Sequence, residues 1–273
     1  MIGPGQQALL DRWGVEILGP VDDHPFAWWG MRDGQHVVVK AGDACARARE
    51  ADALRAFTGG AAGVVVFEGD LLVTERILPG DDIRPLARAD DDLATRRVAE
   101  LAALMRANQM AAEALPPLSA IGEAFSGPRD PRLPGNLRDR AHAIFRELMA
   151  APVEEVALHG DLHHMNVLNA GDSWRAIDPH GWIGDPAFEA AALLANPRGL
   201  VDGGDARGMD GRDLARRSTR RAAIYAETAG LDLERVRAWG FVGCVIAELW
   251  MLESHDLVHG APLAVAEVLL EAL

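Results

Sequence analysis

The chain is almost without lysine: of its 27 basic residues, only Lys40 is not an arginine. Cysteine is nearly as scarce, with two in 273 residues. Cys45 and Cys244 lack metal-ligand spacing, so both are expected as buried free thiols. No apolar run approaches the roughly 20 residues of a membrane span. The opening Met1-Ile2-Gly3-Pro4-Gly5-Gln6 has neither the basic stretch nor the apolar core of a signal peptide. These absences lead to the expectation of a cytoplasmic protein with no membrane partner. Positive charge is also short, since 41 acidic residues leave a net charge of −14. Nucleic-acid phosphates would be repelled by that excess, whereas a cationic small molecule would not.

What is present suffices for a sizeable core, with 49% hydrophobic residues and a mean hydropathy near zero. Residues 1–78 alternate strand-like runs with one helix. Trp13 to Gly19, Phe26 to Met31, Gln35 to Lys40, Gly63 to Phe67 and Leu71 to Ile77 read as five strands, with Asp33-Gly34 as a hairpin turn. Asp43 to Phe57 reads as a helix. Leu78-Pro79-Gly80 breaks the pattern, and residues 79–273 are mainly helical. Helices are expected over Asp91 to Met110, Leu137 to Ala150, Pro186 to Ala195, Arg212 to Ala229 and Leu233 to Asp256. Gly127 to Gly135 and the glycine-rich Asn196 to Gly211 read as loops, the second long enough for a lid or a linker.

The chemistry concentrates in one segment. His159-Gly160-Asp161-Leu162-His163-His164-Met165-Asn166 is followed by Ile177-Asp178-Pro179-His180-Gly181. His-x-Asp-x4-Asn followed by Asp-x-x-Gly is the division of labour of phosphoryl transfer. One carboxylate, Asp161, orients an acceptor hydroxyl and takes its proton, while Asn166 and Asp178 supply hard oxygen ligands for Mg2+. Each residue taken alone has an ordinary reading as a turn former or helix cap; the spacing is what sets them apart.

Lys40 is independent of that motif. It ends the apolar run Val37-Val38-Val39, and a compact ammonium on a buried strand reaches phosphate oxygens as a point charge. In the following helix Glu50 is the acid that shares a face with Ala46, Ala53, Leu54 and Phe57, which makes it the partner for Lys40; Asp52 points elsewhere. Backbone groups of Glu75 to Ile77, at the break between the halves, would face the adenine of ATP. Gly19 to Pro25, where a cover over the phosphates would lie, is poor in glycine. Trp28 and Trp29 read first as core, with a part in shaping the nucleotide pocket as the alternative. Asp185 before Pro186 reads as a helix N-cap that also stands to brace the catalytic loop.

These residues give the chain a family likeness. It resembles the aminoglycoside and hydroxyurea phosphotransferases, particularly the streptomycin 6-kinase branch, within the protein-kinase-like fold. The likeness runs from Val37-Val38-Val39-Lys40 through Leu71 to Gly80, Leu158 to Asn166, Ala176 to Pro179 and Gly181-Trp182-Ile183-Gly184-Asp185-Pro186-Ala187-Phe188-Glu189. It continues to Asn196-Pro197, Gly199 to Asp202 and Gly230 to Trp239. It implies an α+β bilobal fold, with residues 1–78 as the nucleotide lobe and 79–273 as the catalytic lobe. It also implies transfer of the γ-phosphate of ATP to a small-molecule hydroxyl, with Asp161 as base and Asn166 and Asp178 on Mg2+. His180 departs from the lysine often found after Asp-Pro in such enzymes, and Met165 from a more polar residue. A polycationic aminoglycoside calls for a carboxylate-lined site, for which Asp185, Glu189, Glu248, Glu253 and Asp256 are the candidates. Three alternatives stay open: a kinase of another small hydroxyl metabolite, a non-catalytic nucleotide-binding protein, and a transition-metal site built from the histidines. The last lacks a His-x-x-x-His helix with its Glu and leaves Lys40 unexplained.

Overall fold

The structure is a computed structural model that describes residues 2–22, 24–196 and 211–273. It opens with helix α1 (Pro4–Trp13), followed by strands β1 (Val15–Val21), β2 (His24–Arg32) and β3 (Gln35–Ala41), helix α2 (Ala44–Ala56), and strands β4 (Val64–Glu68) and β5 (Leu71–Glu75). The five strands form one antiparallel sheet in the order β1-β2-β3-β5-β4. Asp33 and Gly34 both have positive φ, at 50° and 77°, as the two-residue turn of a right-twisted hairpin requires.

Period-two alternation gives each sheet face its own task. Val37, Val39, Ala41, Leu71 and Val73 point to one face and pack with Leu10 of α1 and Val15 in a small core. Val38, Lys40, Leu72 and Thr74 therefore point to the other. α1 lies within a stretch the sequence reading leaves without structure. It ends at Gly14, whose φ of 67° lets its N–H turn back to the carbonyls of Leu10 and Asp11. That termination is why the first strand begins at Val15 rather than Trp13.

Helix α2 is capped by Asp43, which accepts the N–H of Ala46 at 2.8 Å. Its buried side, Glu50, Ala51, Ala53, Leu54 and Ala56, faces away from the small core. The apolar residues of that side join the large core that runs through the rest of the molecule. Cys244 is buried and Cys45 is exposed, which corrects the expectation of two buried thiols; Cys45 lies in the first turn of α2, before the helix reaches that core.

The second lobe contains α3 (Arg84–Ala89), α4 (Asp91–Ala107), α5 (Gly135–Ala150), the short strands β6 (Val156–Leu158), β7 (Val167–Asn169), β8 (Trp174–Ala176) and β9 (Trp182–Gly184), and helices α6 (Ala190–Ala195), α7 (Gly211–Ala229), α8 (Leu233–His255) and α9 (Ala261–Glu271). Helix α8 carries a long buried face from Val236 to Leu249 and is the axis of this lobe. The expected loop at 196–211 falls almost wholly outside the described residues. Among the described residues no helix is long and apolar enough to cross a membrane.

Candidate active site

Two small ribbons assemble the site. β6 pairs with β9, and just beyond it the N–H groups of His180 and Gly181 bond the carbonyl of His159 at 2.8 and 3.1 Å. β7 and β8 form a hairpin whose open end is closed by the Ile177 N–H on the Asn166 carbonyl at 3.0 Å. Residues twelve apart in sequence, Asn166 and Asp178, thus flank one end of a single hairpin. Asp178 has a φ of 58°, a left-handed conformation that a non-glycine residue adopts at some energetic cost and that is concentrated at functional sites.

His159 joins the parts. Its Nε2 donates to the carbonyl of Ile177 at 2.8 Å and its Nδ1 accepts the N–H of Asp161 at 3.2 Å. One buried ring therefore fixes the backbone next to both Asp161 and Asp178. Burial pushes its pKa down to about 3, so the ring is neutral. Asn166 donates through Nδ2 to the Asp161 carbonyl at 2.9 Å and to Asp161 Oδ2 at 3.2 Å. Its Oδ1 is then the amide atom suited to a cation. His163 and His180 flank Asp161, with Nε2 atoms 3.6 and 3.8 Å from Oδ2.

Lys40 reaches this assembly from the sheet. Its Nζ lies 2.6 Å from Glu50 Oε1 and contacts Asp178 Oδ1. Glu50 is also bonded to Arg47, at 2.6 Å. Burial pushes the Lys40 ammonium below the ordinary lysine range, and the adjacent Glu50 carboxylate pulls it back up. A buried cation between two carboxylates, beside an amide oxygen and a carboxylate that are hard ligands, fits a site for a metal-bound polyphosphate.

The other candidates are dispersed. Asp185 is buried, caps the following turn through the Ala187 N–H, and bonds Arg235 and Trp239 of α8. Glu189 lies behind the loop of residues 159–166, the candidate catalytic loop, and accepts the N–H groups of His159 and Gly160 at 2.7 and 2.8 Å. Burial raises its pKa to about 7. Glu248 is buried and holds the start of α9 through the N–H groups of His259 and Gly260. Asp256 ends α8 with a φ of 52° and pairs with Arg132 at 2.5 Å; Glu253 is exposed nearby. The structure does not bring these five acids together around Asp161. Glu75 is exposed at the end of β5, where its N–H bonds the Gly63 carbonyl at 2.9 Å, and Ile77 is buried.

His164 stands apart from the histidines around Asp161. His159 is tied to Ile177, whereas His164 is buried against Arg221, which is itself clamped by Asp91. That Arg221 clamp on the catalytic loop has no counterpart in the sequence reading, because its three members lie far apart along the chain.

A five-stranded antiparallel lobe set on a larger helical lobe, with Lys40, Asp161, Asn166 and Asp178 converging between them, defines the protein-kinase-like class. The model for the aminoglycoside/hydroxyurea antibiotic resistance kinase matches residues 25–254, and the chain belongs to this family. Among relatives, hydroxyurea phosphotransferase of Kitasatospora aureofaciens is 32% identical over 98% of this chain and 78% of its own length. Streptomycin 3''-kinase of Klebsiella pneumoniae is 33% identical over 71% of each. Among solved structures, aminoglycoside phosphotransferase APH(4)-Ia superposes with a TM-score of 0.66 over 98% of both chains at 14% identity. Choline kinase LicA of Streptococcus pneumoniae gives 0.62, also over 98% of both, at 12% identity.

Proposed function

We propose that the protein transfers the γ-phosphate of ATP to a hydroxyl of a small molecule of the streptomycin or hydroxyurea type, with residues 1–78 as the nucleotide lobe and 79–273 as the catalytic lobe. The observation that carries this reading is the hairpin end at which Asn166 and Asp178 meet Lys40 and Asp161. ATP with Mg2+, when bound, supplies the transferable phosphoryl group and neutralises its charge. Asp178 and the Oδ1 of Asn166 would hold the metal, and Lys40, steadied by Glu50, would hold phosphate oxygens. Backbone groups of Glu75 and Ile77 would take the base. Asp161 accepts the proton of the acceptor hydroxyl, with its carboxylate aimed by the Asn166 amide and its backbone N–H held by the His159 ring.

A hydroxyurea-type acceptor is supported by the relative matched over 98% of the chain. It is also favoured because Asp185, Glu189 and Glu248 are buried and bonded within the protein. Magnesium-dependent ADP release from ATP, measured with streptomycin, other aminoglycosides, hydroxyurea and small amino alcohols, tests the reading. Stimulation by one of them, reduced about 10²- to 10⁴-fold in Asp161→Ala, is expected. Stimulation by none, with ATP still bound, would leave the fold and remove the proposed acceptors.

A further inference from the structure

The cleft face of the sheet carries one residue that the catalytic assembly leaves unused. Trp29 pairs with Val38, and Val38 with Thr74, so these three side chains share a row across β2, β3 and β5. Val37 and Val39 belong to the small core on the opposite face, so the row looks into the cleft. Lys40 lies one row further along β3 on the same face, about 7 Å away at the rise of a strand. If Lys40 marks the phosphate end, the row of Trp29 lies toward the break after β5.

Arg76 comes to the same place from that break. Its N–H bonds the His36 carbonyl at 3.1 Å, which keeps it in the β3–β5 ladder and on the face of Thr74. Its guanidinium carbon lies 3.9 Å from the centre of the Trp29 ring, a stacking distance. Among the described residues Arg76 takes part in no ion pair. Its guanidinium lies on a half-exposed indole, an attraction that is modest at such sites. A flat cation lies on a flat aromatic face where a flat base has to bind.

We infer that Trp29 is the stacking platform for the nucleotide base and that Arg76 is its placeholder, displaced when the base stacks on the indole. The inference rests on the proposed ATP reading and extends it to how this chain recognises the base. Stacking accepts any purine, because every base has a π-face; on this arrangement the choice between purines falls to the backbone of Glu75 and Ile77.

Binding rather than turnover tests it. Mg-ADP and inorganic tripolyphosphate, which has no base, are titrated calorimetrically into the intact protein and into Arg76→Ala and Trp29→Leu. Quenching of tryptophan emission is followed in parallel. Arg76→Ala is expected to bind ADP about two- to fivefold more tightly, since a competitor for the indole is gone. Trp29→Leu is expected to bind ADP about tenfold or more weakly and to lose most of the quenching. Tripolyphosphate affinity stays the same in all three. If Arg76→Ala binds ADP more weakly, Arg76 holds the base and the placeholder role is overturned. If ADP affinity is unchanged in both variants, the platform is overturned while nucleotide binding stands; should Trp29→Leu not fold, an unchanged ADP affinity in Arg76→Ala overturns the displacement of Arg76 by the base. A parent protein that does not bind ADP refutes the ATP reading itself, and the inference with it.

Discussion

Glu189 and His159 hold the catalytic loop from opposite sides of the pH scale. The pKa of Glu189 rises from an ordinary 4.5 to about 7 through burial, so the folded state binds its proton more tightly than the unfolded chain. Its contribution is present below pH 4.5 and is lost as pH rises through 7. The pKa of His159 falls from 6.5 to about 3, also through burial, so its contribution is present above pH 6.5 and is lost as pH falls toward 3. Between pH 4.5 and 6.5 the two slopes oppose each other. Glu189→Gln removes one of them, and urea unfolding should then show stability rising more steeply with pH across that window than in the parent. The variant should also be less stable at pH 5 by about 1–3 kcal/mol, because an amide cannot accept both loop N–H groups. Parallel pH profiles for the two proteins would refute the assignment. The residues of the motif, 161, 166 and 178, were legible in the sequence because their spacing is local. The N-cap role of Asp185 was legible too, but the destinations of Glu189 and Glu248 were not. A buried carboxylate goes where backbone N–H donors lack partners, and those donors, at His159 and Gly160 and at the start of α9, belong to other elements and form no sequence motif with it.

At the scale of the element, glycine decides how closely α8 approaches α6. A Cβ on Gly243 would lie 2.6 Å from the Cβ of Ala191, and one on Gly240 would lie 2.7 Å from Leu194. Ala191 has no rotamer by which to move aside. Gly243→Ala should therefore cost about 1–3 kcal/mol by overpacking, more than the ~1 kcal/mol of helix propensity it gains. Gly5→Ala, in α1 with nothing within 4 Å, should gain part of that propensity. Urea midpoints of both variants check the pair, and a stabilised Gly243→Ala would mean the helices are further apart than described. The strands and long helices could be read from periodicity. α1 could not: Pro4 at its first position and Gln6, whose side chain accepts the Gly3 N–H, open it, but it fully buries only Leu10 and so shows no apolar stripe. α9 was missed for the reverse reason, since Ala261–Glu271 is apolar on nearly every side and offers no stripe to recognise.

The whole molecule is an anion with a net charge of −14. Its field draws cations at long range and is screened over about 10 Å at 0.1 M salt. If a streptomycin-type cation is the acceptor, its kcat/KM should fall several-fold between 20 and 300 mM salt. A neutral acceptor such as hydroxyurea should show almost no such dependence, and a flat profile for streptomycin would argue against steering by the molecular charge. The charge is also unevenly made. Its cations are guanidinium groups except for Lys40, whose side chain is only 12% exposed and lies between Glu50 and Asp178. For amine chemistry the folded molecule is therefore nearly blank. Acylating or carbamylating reagents find a single ε-amine, placed in the cleft, so the extent of labelling at one atom reads out whether that cleft is open or filled.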